Sequence, residues 1–268
     1  MNSKKRLLAI LAHPDDESLG FGGTFARYAN EGAETFLITA TRGQRGRFGT
    51  ALQSPGLDIV GQAREKELFE AANILGIKEV HLLDYMDGDL DQVSPQTIVP
   101  ELANLIRQIQ PQVVLSFGPD GLYGHPDHMA ISQFTTAACV VAAQADPQSG
   151  YPDPHIVSKL YWFAWPPEKW SLYQAAFKKL TMMVDGQLRE ALASPEWMVS
   201  TQIDTTAHWK QWWNAIQCHR TQIATFDRLK TLTEEEHLRL WSSQEFHRAF
   251  SLVNRGRKVE SDLFEGIT

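Results

Sequence analysis

Through the first 165 residues, short unbroken apolar runs alternate with stretches whose apolar positions recur at helical spacing. Leu7 to Ala12, Thr35 to Ala40, Glu79 to Leu83, Val113 to Phe117 and Lys159 to Ala164 read as strands. They are continuous rather than alternating, the pattern of a parallel sheet covered on both faces. Helices are expected near Gly22 to Glu31, Asp58 to Leu75, Pro95 to Ile109 and Pro126 to Ala143, the third with Ser94 as N-cap and Pro95 at its first helical position. Strand and helix in turn imply an α/β fold, a doubly wound and mostly parallel sheet with right-handed crossovers and a Rossmann-like N-terminal part.

The pattern then changes. Helices are expected near Pro167 to Leu180, Thr205 to Gln222 and Thr233 to Trp241, and a strand at Glu245 to Val253. All eight tryptophans lie between Trp162 and Trp241, which makes this an elaborated, Trp-rich C-terminal half. Such rings either pack a core or wall a substrate cleft. No Gly/Ser or Pro-rich linker interrupts the chain, so residues 1–268 read as a single domain.

Composition narrows the function. A net charge of −7 argues against broad nucleic-acid binding, which leaves a basic footprint. Two cysteines, Cys139 and Cys218, cannot build a disulfide framework and read as ordinary buried thiols. Lys4-Lys5-Arg6 before an apolar run imitates a signal peptide, but the run of six is short and leads straight into a charged motif, so a buried strand is the better reading. No run approaches the roughly 18 apolar residues of a membrane span. A soluble, cytoplasmic protein is the expectation.

The chemistry gathers in two segments. Ala12-His13-Pro14-Asp15-Asp16-Glu17 stands at the carboxyl end of the first strand, and Gly124-His125-Pro126-Asp127-His128 lies just beyond the fourth. Open parallel sheets bind ligands outside the carboxyl ends of their strands. Histidine nitrogens with a carboxylate suit a divalent ion, and three protein ligands leave a fourth position for water. His13 and Asp16, three apart at a strand-to-helix turn, can face one ion, with His128 closing the site from the second loop. Asp15 points elsewhere and is free to act as a base, and His125 sits where it can meet an oxyanion. The plain alternative is that Asp15, Asp16 or Asp127 merely caps a helix. H-E-x-x-H, G-x-x-x-x-G-K-[ST] and G-x-S-x-G are absent, and Gly20 to Phe25 fails G-x-G-x-x-G at its last position.

Both segments together resemble the A-H-P-D-D-E and G-H-P-D-H motifs of the LmbE/PIG-L-type metal-dependent N-deacetylases, and the resemblance covers roughly the first 165 residues. It implies His13, Asp16 and His128 as zinc ligands and Asp15 as general base. It further implies His125 as the group that stabilises the tetrahedral intermediate or protonates the leaving amine, oriented by Asp127. Thr41-Arg42-Gly43-Gln44-Arg45-Gly46 fits the family's T-x-G-x-x-G loop, with Gln44 where many members carry Glu. Arg64-Glu65-Lys66-Glu67 matches an R-x-x-E pattern that makes Arg64 a substrate contact, against a surface salt bridge as the plain reading. His219-Arg220-Thr221-Gln222 resembles H-x-[ST]-Q, which brings His219 near the site, against an ordinary structural histidine.

Arg42, Arg45 and Arg47 form a basic patch that either is plainly solvated or reads an anionic part of the substrate. The resulting expectation is a zinc hydrolase, with Fe2+ or Co2+ also suited to the ligands, that removes an acetyl group from an N-acetylated amino sugar or its conjugate. The alternatives are an amidase with the same metal site acting on a thiol conjugate, and a non-catalytic metal/carbohydrate-binding protein. The expected partner is the small-molecule substrate, with no nucleic acid and no membrane. A homo-oligomer is compatible with the resemblance.

Overall fold

The apolar run after Lys4-Lys5 is strand β1 (Arg6–Leu11), fully buried from Leu7 onward in this computed structural model, which describes residues 4–145, 152–177, 180–226, 228–253 and 258–268. The chain continues through a one-turn helix α1 (Asp16–Leu19), α2 (Gly22–Asn30), β2 (Glu34–Thr41), α3 (Leu57–Leu75), β3 (Glu79–Tyr85) and α4 (Pro95–Ile109). Then come β4 (Val113–Ser116), a distorted turn α5 (Gly121–Gly124), α6 (Pro126–Ala142) and β5 (Lys159–Ala164). Ser94 caps α4 as expected, its hydroxyl accepting the Gln96 N–H at 3.3 Å.

The sheet has seven strands in the order β3-β2-β1-β4-β5, continued by two strands from the C-terminal half, β9 (Ser243–Ser251) and β8 (Thr201–Asp204). The first five are mutually parallel, while β9 runs antiparallel to β5 and β8 antiparallel to β9. The mostly parallel, doubly wound sheet is therefore present, with a reversed edge. β1 lies between β2 and β4, so the chain leaving β1 turns one way and the chain leaving β4 the other. Their carboxyl ends flank the crevice in which this topology binds ligands.

The C-terminal half departs further from the sequence reading. α7 (Pro167–Phe177) stops short of Leu180, and Lys178 and Lys179 of the expected helix lie outside the described residues. A hairpin, β6 (Thr181–Val184) with β7 (Gln187–Glu190), and strand β8 were not foreseen. The helix expected over Thr205 to Gln222 is two, α8 (Trp209–Cys218) and α9 (Arg220–Ile223), because His219 takes a non-helical φ −80, ψ 55 between them. The last helix, α10 (Glu234–Trp241), carries a complete capping box between Thr233 and Glu236.

Trp165, Trp170, Trp212 and Trp241 are buried with Tyr173 and Phe177 in a second apolar cluster, and Trp209 and Trp213 pack partly buried against it, so the packing reading holds for six of the eight tryptophans. Trp212 lies across the start of α2. A Cβ on Gly22 or Gly23 would come within 2.4 or 2.5 Å of its indole, whose Nε1–H donates to the Ser18 carbonyl at 2.6 Å. Among the described residues, no helix is long and apolar enough to cross a membrane.

Candidate metal centre

β1 ends in a turn that its own side chains hold. The Asp16 carboxylate folds back to accept the N–H of Ala12 at 3.2 Å and of His13 at 2.8 Å. Asp15 adopts a left-handed backbone, φ 106, a conformation costing about 1–3 kcal/mol for a residue with a side chain. Neither carboxylate caps a helix: Asp15 makes no capping bond to α1, and Asp16 points backward. From the second loop, His125 is the N-cap of α6, its Nδ1 accepting the Asp127 N–H at 3.2 Å. One turn into α6, His128 stacks flat on Phe117 with ring centroids 3.9 Å apart, which fixes its plane.

The ends of the two strands bring His13, Asp16 and His128 together, all buried. His13 Nδ1 lies 3.2 Å from His128 Nε2, His128 Nε2 lies 3.4 Å from Asp16 Oδ1, and His13 Nδ1 lies 3.7 Å from Asp16 Oδ2. Donors about 2.0–2.1 Å from a tetrahedral ion stand about 3.3 Å apart, so this donor set fits a divalent ion of zinc's size. The other ring nitrogen of His13, Nε2, faces Asp127 Oδ2 at 3.0 Å and Asp87 Oδ1 at 3.1 Å. A carboxylate on the far side of a ligating imidazole fixes its tautomer and raises its basicity. His13, His125 and Asp127 form a second possible group that shares His13. There, however, the Asp127 carboxylate is fully buried and already accepts the N–H groups of Gly88 at 2.7 Å and Leu90 at 3.1 Å.

The electrostatics follow from this layout. Burial opposes charge on His13, but Asp127, Asp87 and Asp16 outweigh it and raise its pKa to about 10, so metal must displace a proton there. Burial pushes Asp87 up, yet His13 pulls it down to about 2. His125 is neutral, lowered to about 3 by burial and by the neighbouring His128 and His13. With Nδ1 accepting a backbone N–H, its single proton sits on Nε2. Burial raises Asp15 to about 6 against the pull of Arg64. The Asp15 side chain is also the most open of the four motif carboxylates, 16% exposed against 9% for Asp16 and 0% for Glu17 and Asp127. It is the carboxylate best placed to reach a substrate.

Comparisons with known proteins place the chain in a family. The family model described as PIG-L, GlcNAc-PI de-N-acetylase, matches residues 8–139, which includes both motifs. A 1D-myo-inositol 2-acetamido-2-deoxy-alpha-D-glucopyranoside deacetylase of Streptomyces griseus is 31% identical over 98% of this chain and 89% of its own. The chain belongs to the PIG-L family. It is an N-deacetylase of the LmbE/PIG-L type. Solved structures share the fold: N,N'-diacetylchitobiose deacetylase from Pyrococcus horikoshii (TM-score 0.68, 21% identity, 91% of this chain and 83% of that one), and GalB, the 4-carboxy-2-hydroxymuconate hydratase from Pseudomonas putida (0.67, 22%, 94% and 99%).

In this PIG-L-family protein the remaining sequence candidates take unequal places. Arg64 is buried and braces two loops, donating to the Gly43 carbonyl at 2.9 Å and to the Pro14 carbonyl, with Nη2 3.2 Å from Asp15 Oδ2. A Cβ on Gly43 or Gly46 would lie 2.0 or 2.5 Å from Arg64 Nη1, which explains both glycines of the T-x-G-x-x-G loop. His219 reaches the site but does not face it. It is fully buried, and what it meets is Glu17 of the first motif, at 2.6 Å. The carboxylate of Asp127 likewise turns to His13 rather than to the His125 ring, which it meets only through its backbone N–H.

The basic patch is mostly neutralised. Arg42 pairs with Glu65 and Asp84, and Arg45 grips Asp89 through two bonds of 2.6 and 2.7 Å. Among the described residues Arg47 meets no carboxylate; it is exposed and donates to Thr225 Oγ1 at 2.8 Å. Gln44 accepts the Asp87 N–H at 3.2 Å, a structural bond within the same loop pair. Sequence reasoning missed Asp87, whose only signal is Asp87-Gly88 after the third strand, and Tyr123, whose ring lies 5.7 Å from His125 and 5.6 Å from His128.

Proposed function

We propose that the protein is a zinc-dependent hydrolase that removes the acetyl group from the nitrogen of an N-acetylated amino sugar carried in a small conjugate. The observation that carries the reading is one constellation. Three donors stand at tetrahedral spacing on two adjacent strand ends, beside a spare carboxylate, Asp15, held by Arg64. His13, Asp16 and His128 would hold the ion. When bound, it supplies a Lewis acid for the amide carbonyl and a water of lowered pKa. Asp15 takes a proton from the attacking water. His125, with its proton on Nε2, donates a hydrogen bond to the developing oxyanion, and the proton taken by Asp15 passes to the departing amine, which frees the base again. Tyr123 and Phe117 hold the His125 and His128 rings in place.

The substrate class is supported by the relative from Streptomyces griseus, whose name specifies an N-acetylated glucosaminyl inositol. A binder without turnover would have no use for Asp15, a half-buried base with its own arginine. The test is amine release from N-acetylglucosaminyl inositol and from an N-acylated thiol conjugate, before and after chelation and on return of Zn2+. Release from the sugar that chelation stops and zinc restores is expected. Turnover that survives full removal of metal, or release from the thiol conjugate alone, would sink the proposal.

A further inference from the structure

The catalytic loop is buttressed by a pair of buried, hydrogen-bonded side chains that the mechanism does not use. Glu17 and His219 are both fully buried and come from opposite ends of the chain. Glu17 Oε2 accepts the N–H of Asp15 at 2.9 Å, while Glu17 Oε1 accepts His219 Nε2–H at 2.6 Å and the Ser18 hydroxyl at 2.5 Å. Two residues beyond His219, Thr221 donates its N–H and hydroxyl to the two oxygens of Glu67, at 2.9 and 2.7 Å. Glu67 stands one helical turn after Arg64 on α3, and Arg64 holds the Pro14 carbonyl and the Asp15 carboxylate. The non-helical residue between α8 and α9 is His219 itself, so the helix breaks where its imidazole must reach Glu17.

We infer that Glu17 and His219 form a buried strut that holds the Asp15 backbone in its left-handed conformation and thereby sets the position of the Asp15 carboxylate. The inference rests on Asp15 being the base of the deacetylation proposed above. Both are positioning residues, since neither side chain is exposed at all. A residue at positive φ stays there only when its surroundings over-determine it. Here the N–H of Asp15 is tied by Glu17, its side chain by Arg64 and the preceding carbonyl by Arg64 again. Removing the His219 donor leaves the buried Glu17 Oε1 with the Ser18 hydroxyl alone, and the carboxylate freer to turn away from the Asp15 N–H. The carboxylate then shifts relative to the attacked carbonyl, which costs turnover rather than binding.

The test compares His219→Phe, which keeps a ring and loses the donor, with His219→Gln, whose amide reaches the place of Nε2. Steady-state kinetics, bound metal and the exchange rate of the Asp15 amide in metal-free protein are measured for each. The expected result for His219→Phe is a kcat lowered about tenfold or more, with KM and metal content unchanged and the Asp15 amide exchanging about tenfold faster. His219→Gln should remain within about threefold of wild type in both. If His219→Phe does not fold, His219→Asn, too short to reach Glu17, takes its place, and Asn and Gln variants of equal activity overturn the strut. Unchanged kcat and exchange in His219→Phe also overturn it, as does metal lost in step with activity, which would assign the pair to the ligand cup. Asp15→Asn is run alongside: an inactive Asp15→Asn beside a wild-type His219→Phe removes the strut alone, whereas an active Asp15→Asn removes the underlying reading and the strut's catalytic role with it.

Discussion

His13 turns its two ring nitrogens to different tasks: Nδ1 faces His128 at 3.2 Å, and Nε2 is held by Asp127 at 3.0 Å. The second contact fixes which nitrogen is left for the ion. Asp127→Asn keeps the shape but removes the charge that supports the imidazole. Metal affinity or activity should fall about 10–100-fold, read by titration of metal-free protein with Zn2+. An affinity equal to wild type would show that Asp87, on the same nitrogen, suffices alone.

His13→Ala, Asp16→Ala and His128→Ala each remove one of three donors that stand together. Bound metal should fall well below one per chain in each, with no measurable turnover. If all three variants keep full metal by elemental analysis, the cup lies elsewhere.

Asp15→Asn is expected to behave differently, keeping its metal while kcat drops about 10²–10⁴-fold, because an amide cannot accept the water's proton. Loss of metal in this variant would move Asp15 into the ligand set.

The N-terminal half of the sheet was legible because a parallel strand covered on both faces leaves an unbroken apolar run, and five such runs are five strands. The motifs were legible because their residue types are costly to place at a strand end for packing alone. Asp87 was not, since Asp-Gly after a strand is ordinary turn chemistry. The break at His219 was hidden because nothing in the spacing of α8 shows that a side chain leaves the helix to reach Glu17. The β6–β7 hairpin escaped because its four-residue strands are largely exposed and carry no strong apolar alternation. The arginine patch was read from charge alone, and the carboxylates that quench Arg42 and Arg45 arrive from α3 and the loop and strand end around β3.

Gly43 sits at φ +63 with the Arg64 guanidinium where a side chain would begin. Gly43→Ala therefore strains the backbone and displaces Arg64 from Asp15. A loss of about 1–3 kcal/mol in urea unfolding is expected, together with reduced kcat. Wild-type stability and turnover would show that the loop relaxes without cost.

Arg47 is the member of the basic patch left to read an anionic substrate. Arg47→Ala should raise KM for an acidic conjugate and leave kcat nearly unchanged, while a neutral analogue is little affected. Added salt should shrink the difference. Equal losses on both substrates would make the loop purely structural.

The indole of Trp212 ties the two halves of the chain together at the metal turn. Gly22 and Gly23 leave their side-chain space to the ring, and its N–H closes on the Ser18 carbonyl in α1, two residues after Asp16. A helix of the Trp-rich C-terminal half is thus bolted to the turn that carries His13 and Asp16. The later residues are part of what keeps that turn in shape, and they could not be trimmed from the N-terminal sheet without loosening it.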